Sequence, residues 1–207
     1  MRSALGTLLL IIVLVVSPLG AQQLPLEPEP ERTAILEIGG KLAWGIGITG
    51  QAVGWELARP HHYVRVAARL GNGGGHAYFD AYLMRAIGPD ATWRDEVART
   101  SLDLTYPADG WVTLFEDLDL EAGEYWLVVA KPLEKAHSSI NWIVAAPMSL
   151  RSTCDVRYLG TKSFTFLTDT AEYLPASKFE SKYDPYGFQM SLTEILLPDS
   201  DRCVRDQ

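Results

Sequence analysis

Cysteine is nearly absent from this chain: Cys154 and Cys203 are the only two among 207 residues. That excludes a disulfide-knot scaffold and any zinc site built from closely spaced cysteine pairs. Basic residues are in deficit as well, 18 Lys and Arg against 26 Asp and Glu, for a formal charge of −8. An acidic surface repels phosphate backbones, so nucleic acid is excluded as a partner. No apolar run approaches the ~20 residues that a membrane-spanning helix needs. The longest, residues 8–16, is about half that. No G-x-S-x-G element for a serine nucleophile is present, and no D-x-D-x-D-G loop for calcium. Helical periodicity is missing too, apart from residues 90–99, where Trp93 and Val97 are four apart. That segment predicts one or two helical turns inside a loop.

What is present begins with an export signal. Arg2 supplies a positive charge, the apolar run follows, Pro18 breaks it, and Gly20 and Ala21 are small. Residues 1–21 are therefore expected to be cleaved, leaving a secreted protein, extracellular or periplasmic, with no membrane span in the mature form. Residues 22–32 read QQLPLEPEPER, and alternating Pro and Glu make an extended, solvated leader. A globular domain is expected over 33–197, with a tail at 198–207. In an oxidising compartment Cys154 and Cys203 are expected to pair and to tie that tail down; two free thiols or a metal pair lack nearby ligands. The loop closed is about 50 residues, worth ~4 kcal/mol in the chain-entropy model.

Within the domain the signal has period two. Val64, Val66, Ala68 and Leu70 alternate with Tyr63, Arg65, Ala67 and Arg69. Leu102 and Leu104 alternate with Asp103 and Thr105, Phe164 and Phe166 flank Thr165, and Phe188, Met190 and Leu192 alternate with Gln189 and Ser191. Glu194 breaks the last series, which marks the end of that strand. Residues 77–84, 111–115, 125–130 and 140–146 are apolar on both faces, and their aromatic and β-branched content favours buried strands. Gly and Pro clusters punctuate them at 71–75, 88–89, 107–110, 121–123 and 184–187. Many short strands between regular turns predict an all-β antiparallel sandwich in a single domain. Residues 110–132 look like a β-hairpin central to it, with Gly123 available for positive φ.

The candidate chemistry is sparse. Gly45, Gly47 and Gly50 match G-x-G-x-x-G, but a strand follows rather than a helix, so a dinucleotide is not expected. His61 and His62 are adjacent and point to opposite faces of a strand, His76 and His137 are isolated, and all four are expected at the surface or in loops. Residues 116–119 (EDLD) and 199–201 (DSD) leave calcium possible and unassigned, and no metal site is identified. Asp80 lies between Tyr78 and Tyr82 on one strand face, an arrangement that suits a sugar hydroxyl. Trp111, Trp126 and Trp142 sit in the strongest strands and are expected in the core. Trp44, Trp55 and Trp93 have more polar or Gly-rich surroundings and are the candidate stacking platforms.

The residues Ala81-Tyr82-Leu83, Ile87-Gly88-Pro89, Glu96-Val97-Ala98, Trp111 to Phe115, Gly123, Tyr125 to Val129 and Asn141-Trp142, in that order, resemble a group of bacterial exported jelly-roll domains. That group occurs in proteins with interchangeable surface-anchoring tails, of the choice-of-anchor or sorting-signal type. The likeness spans about residues 40–195 and implies a jelly-roll sandwich like that of carbohydrate-binding modules. It brings no catalytic residues, and the apolar anchoring tail usual in the group is not found here. The L-x-x-G-x-Y-x-L-V-V run at 120–129 is also similar to small β-domains appended to secreted peptidases. The expected function is a secreted, non-catalytic binding or structural module that contacts polysaccharide or envelope material, through Trp44, Trp55, Trp93, Tyr78, Asp80 and Tyr82. The alternative is a secreted polysaccharide hydrolase with a carboxylate pair across a cleft.

Overall fold

The structure, a computed structural model, describes residues 31–47, 50–72, 77–104, 109–132, 140–164, 170–181, 187–195 and 204–206, with backbone alone at 41–44, 46–47, 72, 109, 140 and 204–206. The strands are β1 (Arg32–Gly47), β2 (Gly50–Leu57), β3 (His61–Asn72), β4 (Ala77–Met84), β5 (Glu96–Leu104), β6 (Asp109–Leu120), β7 (Gly123–Ala130), β8 (Ile140–Thr153), β9 (Val156–Phe164), β10 (Glu180–Ser181), β11 (Gly187–Phe188), β12 (Met190–Ile195) and β13 (Val204–Asp206). They form two antiparallel sheets. One has seven strands in the order β11-β8-β1-β12-β3-β6, with β13 on β8 and a further β3–β8 pairing; the other has six, β10-β9-β2-β7-β4-β5. The protein is an all-β sandwich.

The alternating series become the inner faces. Val64, Val66, Ala68 and Leu70 of β3 and Met190 and Leu192 of β12 meet Val53, Trp55, Phe79, Leu83, Leu127 and Val129 of the opposite sheet in one core. The strands that are apolar on both faces are central ones. β7 lies between β2 and β4, and its second face is covered rather than wet. Residues 173–179 cross the outside of the six-stranded sheet, where Leu174, Tyr173 and Phe179 pack on Tyr82, Met84, Trp126, Val128 and Phe164. Two buried faces explain why Tyr125 to Ala130 carries no alternation.

Two expectations are corrected. Residues 110–132 are not a hairpin: β6 pairs with β3 in the seven-stranded sheet, and β7 pairs in the other. The turn before Gly123 (φ 132°) therefore crosses between sheets. Residues 90–99 hold one helical turn, as expected: a 3-10 turn at Trp93–Asp95, capped by Thr92 and Asp95, after which Glu96–Leu104 is strand. Trp111 is not a core residue. The register shift between the Val66–Phe115 and Ala67–Thr113 pairs makes Leu114 an extra residue in β6, so that Leu114 and Phe115 are both buried while Trp111 stays 50 % exposed. Trp126 and Trp142 are buried as expected. Among the described residues no helix is long and apolar enough to cross a membrane.

Candidate functional site

The outer side of the β4–β5 pair holds an organised polar cluster. In β4, Phe79, Ala81 and Leu83 point into the main core, so Tyr78, Asp80 and Tyr82 point the other way. Register places Ser101 opposite Asp80, Asp103 opposite Tyr78 and Arg99 opposite Tyr82. Asp80 is only 6 % exposed. It accepts from Arg99 Nη2 at 3.0 Å, from the Tyr82 hydroxyl at 3.1 Å and from the Ser101 hydroxyl. Arg99 also lies over the Tyr82 ring, 4.8 Å from its centroid. Burial pushes the Tyr82 hydroxyl well above the ordinary phenol range, and the adjacent Asp80 charge adds to it. Tyr82 thus remains a donor to Asp80 at any physiological pH. Beyond Tyr82 the network continues through Tyr173, which meets its ring edge-on and donates to Glu96 at 2.8 Å.

A cleft of about 370 Å³ opens beside this cluster, lined by Tyr78, Phe79, Asp80, Ser101, Leu102, Asp103 and Pro132. A carboxylate has about four lone-pair positions. Three of Asp80's are occupied by its neighbours, which fixes the carboxylate at the cleft wall. Tyr78 and Asp80 are brought together here as the sequence suggests. Tyr82 is not in the cleft wall; it braces Asp80 from behind.

The tryptophans are corrected. Trp55 is no platform: it is fully buried, stacked on Tyr125 at 6.0 Å between centroids. Its strand, β2, lies between β9 and β7 with both faces covered, so the glycines around it mark close packing and not exposure. Trp93 is 72 % exposed, but it precedes Glu96, which pairs with Met84 at the opposite end of β4–β5 from the cleft. Trp44 pairs through its backbone with Val144, and its side chain lies outside the described residues.

A second cluster escaped the sequence. His61 is buried rather than at the surface. Its Nδ1 is 2.8 Å from Glu194 Oε2. Its Nε2 is 3.0 Å from Asp155 Oδ2, close but poorly aligned for a hydrogen bond, so the Glu194 contact is the directed one. Glu194 breaks the apolar series of β12 because it turns inward to meet this imidazole. Asp155 is held in turn by Arg59. An adjacent cleft of about 390 Å³ is lined by Glu56, Ala58, Leu150, Ser152, Cys154, Asp155, Val156, Arg157 and Tyr158. Its outer carboxylate, Glu56, is paired with Arg157. His62 is exposed and meets Asp119 at 3.0 Å; His76 and His137 lie outside the described residues.

The acidic run at 116–119 is engaged in ion pairs, Glu116 with Arg65 and Asp117 with Arg32, besides Asp119 with His62. Residues 199–201 lie outside the described residues. Among the described residues no group of three or more His, Cys, Asp or Glu is arranged to hold a metal ion. Past Gly45 and Gly47 the chain enters strand β2 at Gly50, a geometry unlike a dinucleotide turn. Cys154 carries no free thiol, and Cys203 lies outside the described residues. No protein-family model matches the chain, and no curated protein or solved structure is significantly similar to it.

Proposed function

We propose that this chain is an exported, non-catalytic binding module whose β4–β5 cleft takes a polyhydroxylated ligand, polysaccharide or envelope material. The observation that carries this reading is Asp80: a nearly buried carboxylate, fixed by Arg99, Ser101 and Tyr82, with an open cleft and the Tyr78 ring beside it. Fixed acceptors beside an aromatic wall suit hydroxyl groups on a ring with an apolar face. The strand order supports the jelly-roll form of the sandwich. Along the chain β1 to β8 alternate between sheets except at β4 to β5, and they pair as β1-β8-β3-β6 over β2-β7-β4-β5. The same reading includes export through residues 1–21 and a Cys154–Cys203 disulfide. Val204, next to Cys203, pairs with Thr153, next to Cys154, which supports that pairing.

One observation favours a hydrolase instead. Asp80 and Asp103 line the same cleft and are diagonal across the β4–β5 register, so that their backbones are about 7–8 Å apart and two carboxylates share one opening, as a hydrolase needs. Against it, Asp80 accepts from three donors, an arrangement suited to an acceptor and not to a proton donor. Pulldown on a panel of neutral insoluble polysaccharides, with calcium and with EDTA, separates the two. The wild type is expected on at least one polymer, and Asp80→Asn and Tyr78→Ala should each weaken retention about tenfold with no release of reducing ends. Retention by no polymer, or equal retention of both variants, overturns the cleft. Reducing ends that appear with wild type and vanish with Asp80→Asn make it an enzyme.

A further inference from the structure

The opposite outer face, that of the seven-stranded sheet, carries an aromatic, Trp111, and a cation, Arg69, that meets no carboxylate among the described residues. Trp111 of β6 stands directly across from Arg69 of β3, a pairing that sets Cβ atoms about 4.5–5.5 Å apart. Arg69 alternates with buried Ala68 and Leu70 and so points outward, and the indole of Trp111 is half exposed. Gln189 points to the same face, since Phe188 and Met190 on either side of it are in the core. It is 3 % exposed. Its Oε1 receives Arg69 Nη1 over 3.4 Å, at the long limit for such a bond. Gln189 Nε2 and Arg69 Nε are buried with no hydrogen-bond partner among the described residues.

Two arginines of the same sheet differ: Arg32 of β1 meets Asp117 and Arg65 of β3 meets Glu116. Among the described residues Arg85 and Arg94 are placed over the rings of Tyr125 and Trp93 instead. Arg69, in a chain of formal charge −8, meets no carboxylate among the described residues. An unmatched guanidinium is a planar fork that fits a carboxylate through two parallel hydrogen bonds. An exposed indole beside it stacks on the apolar face of a ring. A neutral sugar would satisfy the indole and leave the guanidinium unmatched, whereas a simple anion would do the reverse. We infer that Trp111, Arg69 and Gln189 form a second binding site that takes an acidic sugar, a uronate residue of a polysaccharide. The ring lies on Trp111, the carboxylate on Arg69, and Gln189 holds the guanidinium in place. This site is on the other sheet from the Asp80 cleft and does not depend on it.

Calorimetric titration of the full chain with oligogalacturonate, with its fully methyl-esterified form and with dextran sulfate tests the assignment. Oligogalacturonate is expected to bind, and the ester, which keeps the ring and loses the charge, to bind at least tenfold more weakly. Arg69→Gln and Trp111→Ala should each lose tenfold or more, Arg69→Lys should fall between, and Trp93→Ala, an exposed tryptophan elsewhere, should match the wild type. Near-UV circular dichroism reports whether each variant is folded; should Arg69→Gln unfold, the surface change at Trp111 decides. The inference is overturned by no binding at millimolar oligogalacturonate, by equal affinity for the ester, by wild-type affinity in the Arg69 and Trp111 variants, or by an equal loss in Trp93→Ala. Equally tight dextran sulfate binding overturns it too, since that identifies a general polyanion surface.

Discussion

At Asp155, burial alone would raise the carboxyl pKa, but hydrogen bonds from Thr153 and Arg59 and from its own amide, with His61 nearby, outweigh it and hold the group at about 2. The folded value lies below the ordinary 3.8, so the stabilisation is present in full above that pH and is lost as pH falls from there through about 2. Asp155→Asn should therefore destabilise at pH 7, on the order of 1–2 kcal/mol after solvent screening of a partly exposed group. Urea unfolding at pH 7 and at pH 2.5 measures this: the gap between variant and wild type should shrink in acid, and a gap of equal size at both would show that charge is not its source. None of this was legible beforehand. His61, Asp155 and Glu194 are far apart in sequence, and only folding brings them together. The sequence did carry one trace, the acidic residue that interrupts the apolar face of β12, which a strand ending explains as easily as a buried partner does. Asp80 was more legible, because Tyr78, Asp80 and Tyr82 share a face by strand parity alone. What parity cannot supply is the cross-strand half of the cluster, Arg99 and Ser101, since that requires the β4–β5 register.

Single elements follow the same division between local pattern and distant cover. Alternation in β3, β5 and β12 was readable because each has one face toward the core. For β6 and β7 the run of apolar residues around Gly123 looked like two paired strands, yet they enter different sheets. A short turn brings strands close in either case, and only the partners β3, β2 and β4 settle which sheet each joins. Trp55 misled for a related reason. Gly54 beside it is not a sign of an open loop but of close packing: a Cβ at that position would lie 2.6 Å from the Trp126 ring, which lies across β2 beneath Lys162. Gly54→Ala must push this rigid, buried indole aside, at a cost of about 1–3 kcal/mol. A lower urea midpoint with red-shifted tryptophan emission is the expected result. An unchanged midpoint would mean that the outer layer formed by Leu174, Tyr173 and Phe179 yields without loss, and that it contributes little to holding the sheet.

On the scale of the whole molecule, the sandwich is closed by its C-terminal portion. β12 pairs with β1 on one side and β3 on the other, and supplies Met190 and Leu192 to the core and Glu194 to His61. β13 then adds to β8. A sheet in which β1 pairs with the distant β12 costs a large loop entropy to close, and a bond between Cys154 and Cys203 would lower that cost by restricting the unfolded state. With about 50 residues in the loop, the stabilisation is ~4 kcal/mol, which in a domain of this size corresponds to a shift of on the order of 10 °C in Tm. Thermal unfolding with and without reductant should show that drop in the wild type. The double variant Cys154→Ser, Cys203→Ser should match the reduced wild type and be indifferent to reductant. If reduction leaves Tm unchanged, the closure rests on the β12 and β13 pairings alone. If the double variant falls well below the reduced protein, Cys154 contributes through its packing beside Asp155 and not through a bond. The two outcomes are separable because the reductant acts on the bond and leaves every other contact of the β8–β9 turn in place.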